Sequence, residues 1–232
     1  MGERTEVVII ETGVANLASV KAFAARLGLK PIVSDQIVDV LEAPAVILPG
    51  VGAFGPAMER LSLLRLDEAL RRRVEKGLPT AGICLGMQLF FEASEESPGI
   101  QGLGIFKGNV KKLVGGLALP QLGWNRIEPE STARLIESGW VYFANSYRVG
   151  EIERTSKVSI KGPVDSFMAQ KIFDKVAIAT AIYGEPFIAA LEAWKDTRPT
   201  LLLCQFHPEL SGPFGTQLFS HWLNRNRIRR NV

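Results

Sequence analysis

Thr80-Ala81-Gly82-Ile83-Cys84-Leu85-Gly86-Met87-Gln88 is the stretch on which the fold turns. Four residues of short apolar strand run into a Gly-x-Cys-x-Gly, and the spacing predicts a helix continuing through Leu89, Phe90 and Phe91. This is the form of a nucleophile elbow, in which the reactive side chain sits on a sharp strand-to-helix turn and its neighbours must be small. Cys84 then stands at a helix N-terminus, where the partial positive charge of the peptide dipoles faces its sulfur. The Leu85 N–H has no partner inside the first helical turn, so it is free to donate to an oxyanion. A buried cysteine in an apolar segment is the plainer reading. Two glycines bracketing it at a strand-to-helix switch weigh against that.

Toward the N-terminus, strand and helix alternate. Val7 to Ile10 is a β-branched apolar run, as expected of a strand covered on both faces. Leu17, Val20, Ala24 and Leu27 recur at helical spacing, and Gly28 ends that helix. Pro31 to Val33 and Ala45 to Leu48 read as further strands. Leu66, Leu70 and Val74 mark a helical face that Gly77 closes. The alternation predicts an α/β fold with a parallel sheet and right-handed crossovers. Beyond the elbow the pattern changes. Trp140 to Phe143, Ala177 to Ala181, Ile188 to Leu191 and Leu201 to Gln205 are short strand-like runs, and Gln217 to Leu223 is helical. Glu151 to Lys175 is mixed and charged and reads as a surface excursion. With no internal repeat and no low-complexity linker, residues 1–232 read as one domain.

A nucleophile needs a base. The chain has two histidines, and His207 follows an apolar strand in Leu203-Cys204-Gln205-Phe206-His207-Pro208-Glu209. Pro208 holds His207 extended. Residues two apart in an extended segment share a face, so Glu209 is expected to reach the imidazole, orient it and stabilise its charged form. A strand end with a surface carboxylate is the plain alternative. Cys204, three residues before His207, is expected to face the core. His221, beside Trp222 on the last helix, is expected to be structural or exposed. Leu48-Pro49-Gly50-Val51-Gly52 is a strand end opening into a glycine-rich turn, able to bring backbone N–H groups close to a ligand. It lacks the length and the lysine of a phosphate-binding loop.

Composition narrows the alternatives. Of 232 residues, 47% are hydrophobic and 22% charged, which supports a buried core. The net charge of +3 is local in origin, because Arg225, Arg227, Arg229 and Arg230 crowd the C-terminus. The body is near neutral and carries no nucleic-acid footprint. Two cysteines make no disulfide framework. No apolar run approaches the roughly 20 residues of a membrane span, and no signal-peptide pattern is present, so a cytoplasmic location is expected. No His/Cys/Asp cluster has metal-ligand spacing, so neither metal nor cofactor is expected.

Taken together, the glycine turn, the Gly-Ile-Cys-Leu-Gly-Met-Gln elbow and the His-Pro-Glu resemble the class I glutamine amidotransferases over nearly the whole chain. Finer features are similar to one branch, the glutaminase subunits of imidazole glycerol phosphate synthases. These are Gly13 with Asn16-Leu17, Pro49 to Phe54, Pro120-Gln121-Leu122-Gly123-Trp124-Asn125, and Tyr142-Phe143-Ala144-Asn145-Ser146-Tyr147. The resemblance implies a flavodoxin-like core, with a largely parallel central sheet flanked by helices and shorter strands in the second half. It implies Cys84, His207 and Glu209 as catalytic triad. Gly50, Val51, Gly52 and Leu85 would serve the oxyanion, and Gly52, Gln88, Asn145 and Ser146 would lie near bound glutamine. It implies a (β/α)8-barrel cyclase partner in a heterodimer, fed with ammonia for histidine biosynthesis. Departures are Asn145 and Leu210, where that branch usually has histidine and often lysine, and Glu11-Thr12-Gly13-Val14-Ala15 in the first turn. The alternatives are the amidotransferase of another synthase, a stand-alone γ-glutamyl thiol hydrolase, or a catalytically dead binding subunit.

Overall fold

The structure, a computed structural model, describes residues 5–13, 16–149, 153–155, 159–161 and 167–229. Much of the Glu151 to Lys175 stretch, with its expected surface excursion, lies outside them, as do Val14, Ala15 and Arg230. The strands are β1 (Glu6–Ile10), β2 (Lys30–Ser34), β3 (Ala45–Leu48), β4 (Thr80–Ile83), β5 (Ala93–Ser94), β6 (Asn109–Lys112) and β7 (Gln121–Pro129). They continue as β8 (Gly139–Asn145), β9 (Tyr147–Val149), β10 (Glu153–Thr155), β11 (Ser159–Lys161), β12 (Lys175–Tyr183), β13 (Glu185–Lys195) and β14 (Arg198–Cys204). The helices are α1 (Leu17–Arg26), α2 (Ile37–Glu42), α3 (Phe54–Leu63), α4 (Leu66–Glu75), α5 (Leu85–Gln88), α6 (Phe167–Ile172) and α7 (Gly212–Arg225).

The main sheet runs β2-β1-β3-β4-β14-β13-β12-β7-β8. Its first five strands pair in parallel. They reproduce the flavodoxin-like order, with β14 as fifth strand. The other four add on as an antiparallel extension. Parallel strands buried on both faces need apolar side chains on both faces. In β1, Val7 and Ile9 enter one core cluster with Phe23 of α1 and Trp222 of α7. Val8 and Ile10 enter a second, with Met58 of α3 and Leu70 of α4. The extension instead alternates, with Gln121, Ile127, Val141 and Phe143 buried and Leu122, Trp124 and Trp140 exposed. That is the pattern of a sheet with one wet face.

Two predicted details differ. The helix after Cys84 is a single turn that ends at Gln88. The carbonyls of Leu89, Phe90 and Phe91 instead accept N–H groups from Leu103, Gly104, Ile105 and Phe106. This folds three fully buried side chains into the core rather than onto a helix face. In addition, Pro208–Leu210 is a turn of 3-10 helix, with His207 extended just ahead of it. Pro208 restrains His207 as expected, but Glu209 meets it by the turn and not by strand alternation.

In open α/β sheets, ligands bind beyond the carboxyl ends of the strands. Here the ends of three neighbouring strands, β3, β4 and β14, deliver the glycine turn, Cys84 and His207 to one place.

Candidate active site

Cys84 has φ 53° and ψ −112°. Such a backbone costs a non-glycine residue on the order of 1–3 kcal/mol and persists only where its surroundings hold it. They do. The Cys84 N–H donates to the Cys204 carbonyl at 2.7 Å, and the Cys84 carbonyl accepts from Met87 and Gln88. The flanking glycines are required by contact. A Cβ on Gly86 would fall onto the Leu48 carbonyl oxygen, and one on Gly82 would lie 2.8 Å from a Leu203 methyl. The first turn of α5 therefore packs directly on the end of β3.

His207 lies between two groups. Its Nδ1 is 2.8 Å from Glu209 Oε1, and its ring also interacts electrostatically with Cys84. Both residues are nearly sealed from solvent. Burial by itself pulls the imidazole pKa down. The hydrogen bonds and charges of Cys84 and Glu209 outweigh it and raise the pKa from 6.5 to about 10. The His207 N–H donates to the Tyr142 carbonyl at 2.8 Å, and Ser211 Oγ both donates to the His207 carbonyl and accepts from the Tyr142 N–H. His207 is thus stitched to β8, whose Ala144 carbonyl lies 4.0 Å from Cys84 Sγ.

The raised pKa has a consequence for stability. Below about pH 6.5 His207 is charged both folded and unfolded, and its contribution is complete. Between 6.5 and about 10 only the folded chain holds the proton, so the contribution drains away as pH rises. Urea midpoints measured from pH 6 to 10 should therefore fall more steeply for the native chain than for His207→Gln. Parallel slopes would show that His207 is not held protonated.

A cavity of about 220 Å³ opens beside Cys84, lined by Val51, Gly52, Leu85, Gln88, Asn145 and Ser146 among others. Gly50 lines a small second recess with His207 and Glu209, and Val51 lines both. A Cβ on Gly50 would come within 2.8 Å of the Gly86 nitrogen, so the glycine turn lies against the start of α5. Gly52 has φ 94°, a conformation natural only to glycine. Among the described residues no backbone acceptor takes the Leu85 N–H. The structure thus gathers the other nine sequence-predicted site residues in two adjoining recesses around Cys84. Cys204 is buried and unbridged, as expected, and His221 is exposed.

Three residues near Cys84 were given no site role by the sequence reading. Gln205 is fully buried and donates from Nε2 to Cys84 Sγ at 3.7 Å. Its Oε1 accepts from Gln88 Nε2 at 3.0 Å, and Gln88 also donates to the Tyr147 carbonyl. Residue 205 follows Cys204, which pairs with Ile83, and that register was the available signal. Glu96 reaches the cavity from the loop after β5, and Pro120 from the loop before β7. Glu96 had no sequence signal, and Pro120 entered only as the start of the Pro120 to Asn125 segment of the resemblance. Asn145 donates to the Tyr147 carbonyl, while its buried Oδ1 has no partner among the described residues.

This arrangement can carry out thiol acyl transfer on a carboxamide. It supplies a thiol on a strained backbone at the cavity wall, a charged imidazole beside it, a carboxylate behind the imidazole and a free N–H at the helix start. Comparison with known proteins agrees. The family described as glutamine amidotransferase class-I matches residues 18–225. A solved glutamine amidotransferase structure superposes with a TM-score of 0.66 at 18% identity, covering 95% of this chain and 99% of its own. The chain belongs to the class I glutamine amidotransferases. Imidazole glycerol phosphate synthase subunit HisH of Salmonella typhimurium is 40% identical over 222 residues, covering 94% of this chain and 98% of its own. The subunit of that name from Thermosynechococcus vestitus is 38% identical over 224 residues, covering 94% and 95%. Within the class, the branch to which the chain belongs is that of the HisH subunits.

Proposed function

We propose that the chain is the glutaminase subunit of an imidazole glycerol phosphate synthase, with Cys84, His207 and Glu209 as its catalytic triad. The observation that carries this reading is His207, bound to Glu209 at 2.8 Å and interacting with Cys84, which lines the cavity. With the thiol proton already on His207, Cys84 Sγ attacks the side-chain carbonyl carbon of glutamine as the thiolate. The carbonyl oxygen takes the negative charge, and the Leu85 N–H and one from the Gly50-Val51-Gly52 turn are its donors. As the C–N bond breaks, protonated His207 gives its proton to the leaving nitrogen, which departs as ammonia. The resulting thioester is then hydrolysed by a water that His207 deprotonates, and glutamate leaves. Gln88, Asn145 and Ser146 face the amino-acid end of the substrate. Glu96, the one carboxylate among the described lining residues, faces its α-ammonium.

The ammonia passes to a cyclase subunit of (β/α)8-barrel type in a cytoplasmic heterodimer, giving the complex its lyase activity. Imidazole glycerol phosphate and aminoimidazole carboxamide ribonucleotide are its products. Residues 1–232 act as one domain. The exposed Leu122, Trp124, Trp140 and Ile182 on β7, β8 and β12 offer an apolar face for that partner. Among the described residues, no helix is long and apolar enough to cross a membrane.

A glutaminase that worked alone would release ammonia to no purpose, so control by the partner is expected. Rotation of one peptide unit in the glycine turn provides the means, because glycine permits it at low steric cost. If the second oxyanion donor faces away in the free subunit, the rate falls by about 10²–10³. Steady-state glutamate production should therefore be weak for the isolated chain and rise by about that factor with partner and acceptor nucleotide bound. Full turnover by the isolated chain would favour a stand-alone hydrolase instead.

A further inference from the structure

α3 begins at Phe54, two residues beyond the glycine turn. The first N–H groups of a helix have no partner within it. The N-cap residue is Ala53, which has no side chain to offer one. The acceptors come from another loop. Glu96 Oε2 accepts from the Phe54 N–H at 2.8 Å, and Ser97 Oγ accepts from the Gly55 N–H at 2.9 Å. A Cβ on Gly55 would lie 2.9 Å from Ser97 Oγ, so this close approach depends on glycine. The loop is anchored in turn. The N–H of Glu96 donates to Ser94 Oγ, that of Ser97 to the Ser94 carbonyl, and Ser94 is buried. Of the two capping side chains, Glu96 lines the cavity and Ser97 does not.

We infer that Glu96 is a positioning residue that ties recognition of the substrate's α-ammonium to the placement of the Gly50-Val51-Gly52 turn. This rests on the glutaminase reading above. A carboxylate accepts at about four lone-pair sites. One is used by Phe54, and the rest are available to a cation in the cavity. An α-ammonium there holds the carboxylate from its second side, and with it the chain where the turn enters α3. A substrate without that ammonium leaves the clamp half engaged. The oxyanion donors are then less well placed, and turnover falls as well as affinity. Ser97 steadies the same junction without touching substrate.

The test uses the complex with its cyclase partner and acceptor nucleotide. Glutamate formation from glutamine is compared with glutarate formation from 4-carbamoylbutanoate, which is glutamine without its amino group. Ser97→Ala should lower kcat for glutamine about five- to tenfold, the scale of a lost helix cap, with KM little changed. Ser97→Thr keeps the hydroxyl and should recover most of that loss. Glu96→Gln keeps an oxygen for Phe54 but loses the charge, so it should raise KM more than it lowers kcat. Glu96→Ala should do both and shrink the kcat advantage of glutamine over the deamino substrate. Ammonium-driven synthesis should be unchanged in every variant, which reports intact folding and docking. Native kcat in Ser97→Ala, or a change in KM alone, would overturn the inference and leave Glu96 a substrate contact only. A native complex that forms no glutamate would instead overturn the glutaminase reading itself.

Discussion

Cys84→Ala is expected to abolish glutamine-dependent synthesis by the complex while synthesis from added ammonium salt continues at its native rate. Without the sulfur there is no thioester, and no other side chain can form one. Cys204, the second cysteine, is fully buried on β14, where burial first and the Glu209 charge second push its thiol well above the usual range. The substitution should leave the elbow standing. The bonds that hold it are made by the backbone, from the Cys84 N–H to Cys204 and from Met87 and Gln88 to the Cys84 carbonyl. Alanine is also smaller than cysteine, so the packing of Gly82 and Gly86 is undisturbed. The partner's own chemistry is untouched, and external ammonia replaces the internal supply. The measurement is product formation with each nitrogen source. Loss of the ammonium-driven reaction as well would assign Cys84 a structural role. Residual glutamine-dependent synthesis would move the nucleophile elsewhere.

What the sequence made legible was local. β1 and β3 are short runs rich in valine and isoleucine, and Pro49-Gly50 closes β3, so their type was readable locally. Cys84 was legible because its glycines are demanded by contacts that any elbow makes. His207 was legible because Pro208 allows it only extended geometry. Contacts between distant segments were not legible. α3 was not anticipated because its N-cap carries no capping side chain, and its acceptors lie 42 residues further on. Gln205 reaches Cys84 across a separation of 121 residues, which strand register sets and spacing does not reveal. The length of α5 failed for the same reason. Leu89, Phe90 and Phe91 look helical in isolation, but a later loop captures their carbonyls.

Within the proposed triad, His207→Ala should cost more than Glu209→Gln. His207 carries protons in both half-reactions, to the leaving ammonia and from the attacking water. Loss of such a group typically costs about 10²–10⁴ in rate. Glu209 acts only through His207. Its Oε1 fixes Nδ1 at 2.8 Å, and its Oε2 has no partner among the described residues. Glutamine at 209 presents an amide oxygen to the same nitrogen and keeps the ring oriented, so what is lost is the charge. That charge and its hydrogen bond are among the effects holding the imidazole pKa at about 10. Removing them lets burial, the largest single effect, draw it down. The Cys84 interaction still opposes this, so the fall is partial. The native complex should therefore keep its glutaminase activity through pH 9 and lose it as His207 deprotonates near 10. In Glu209→Gln the same alkaline limb should appear at lower pH, with a smaller loss on the plateau. The pH profile of kcat/KM for glutamine measures both, with ammonium-driven synthesis as the control for folding. An equal or larger plateau loss at Glu209, or an alkaline limb that does not move, would reverse the two roles.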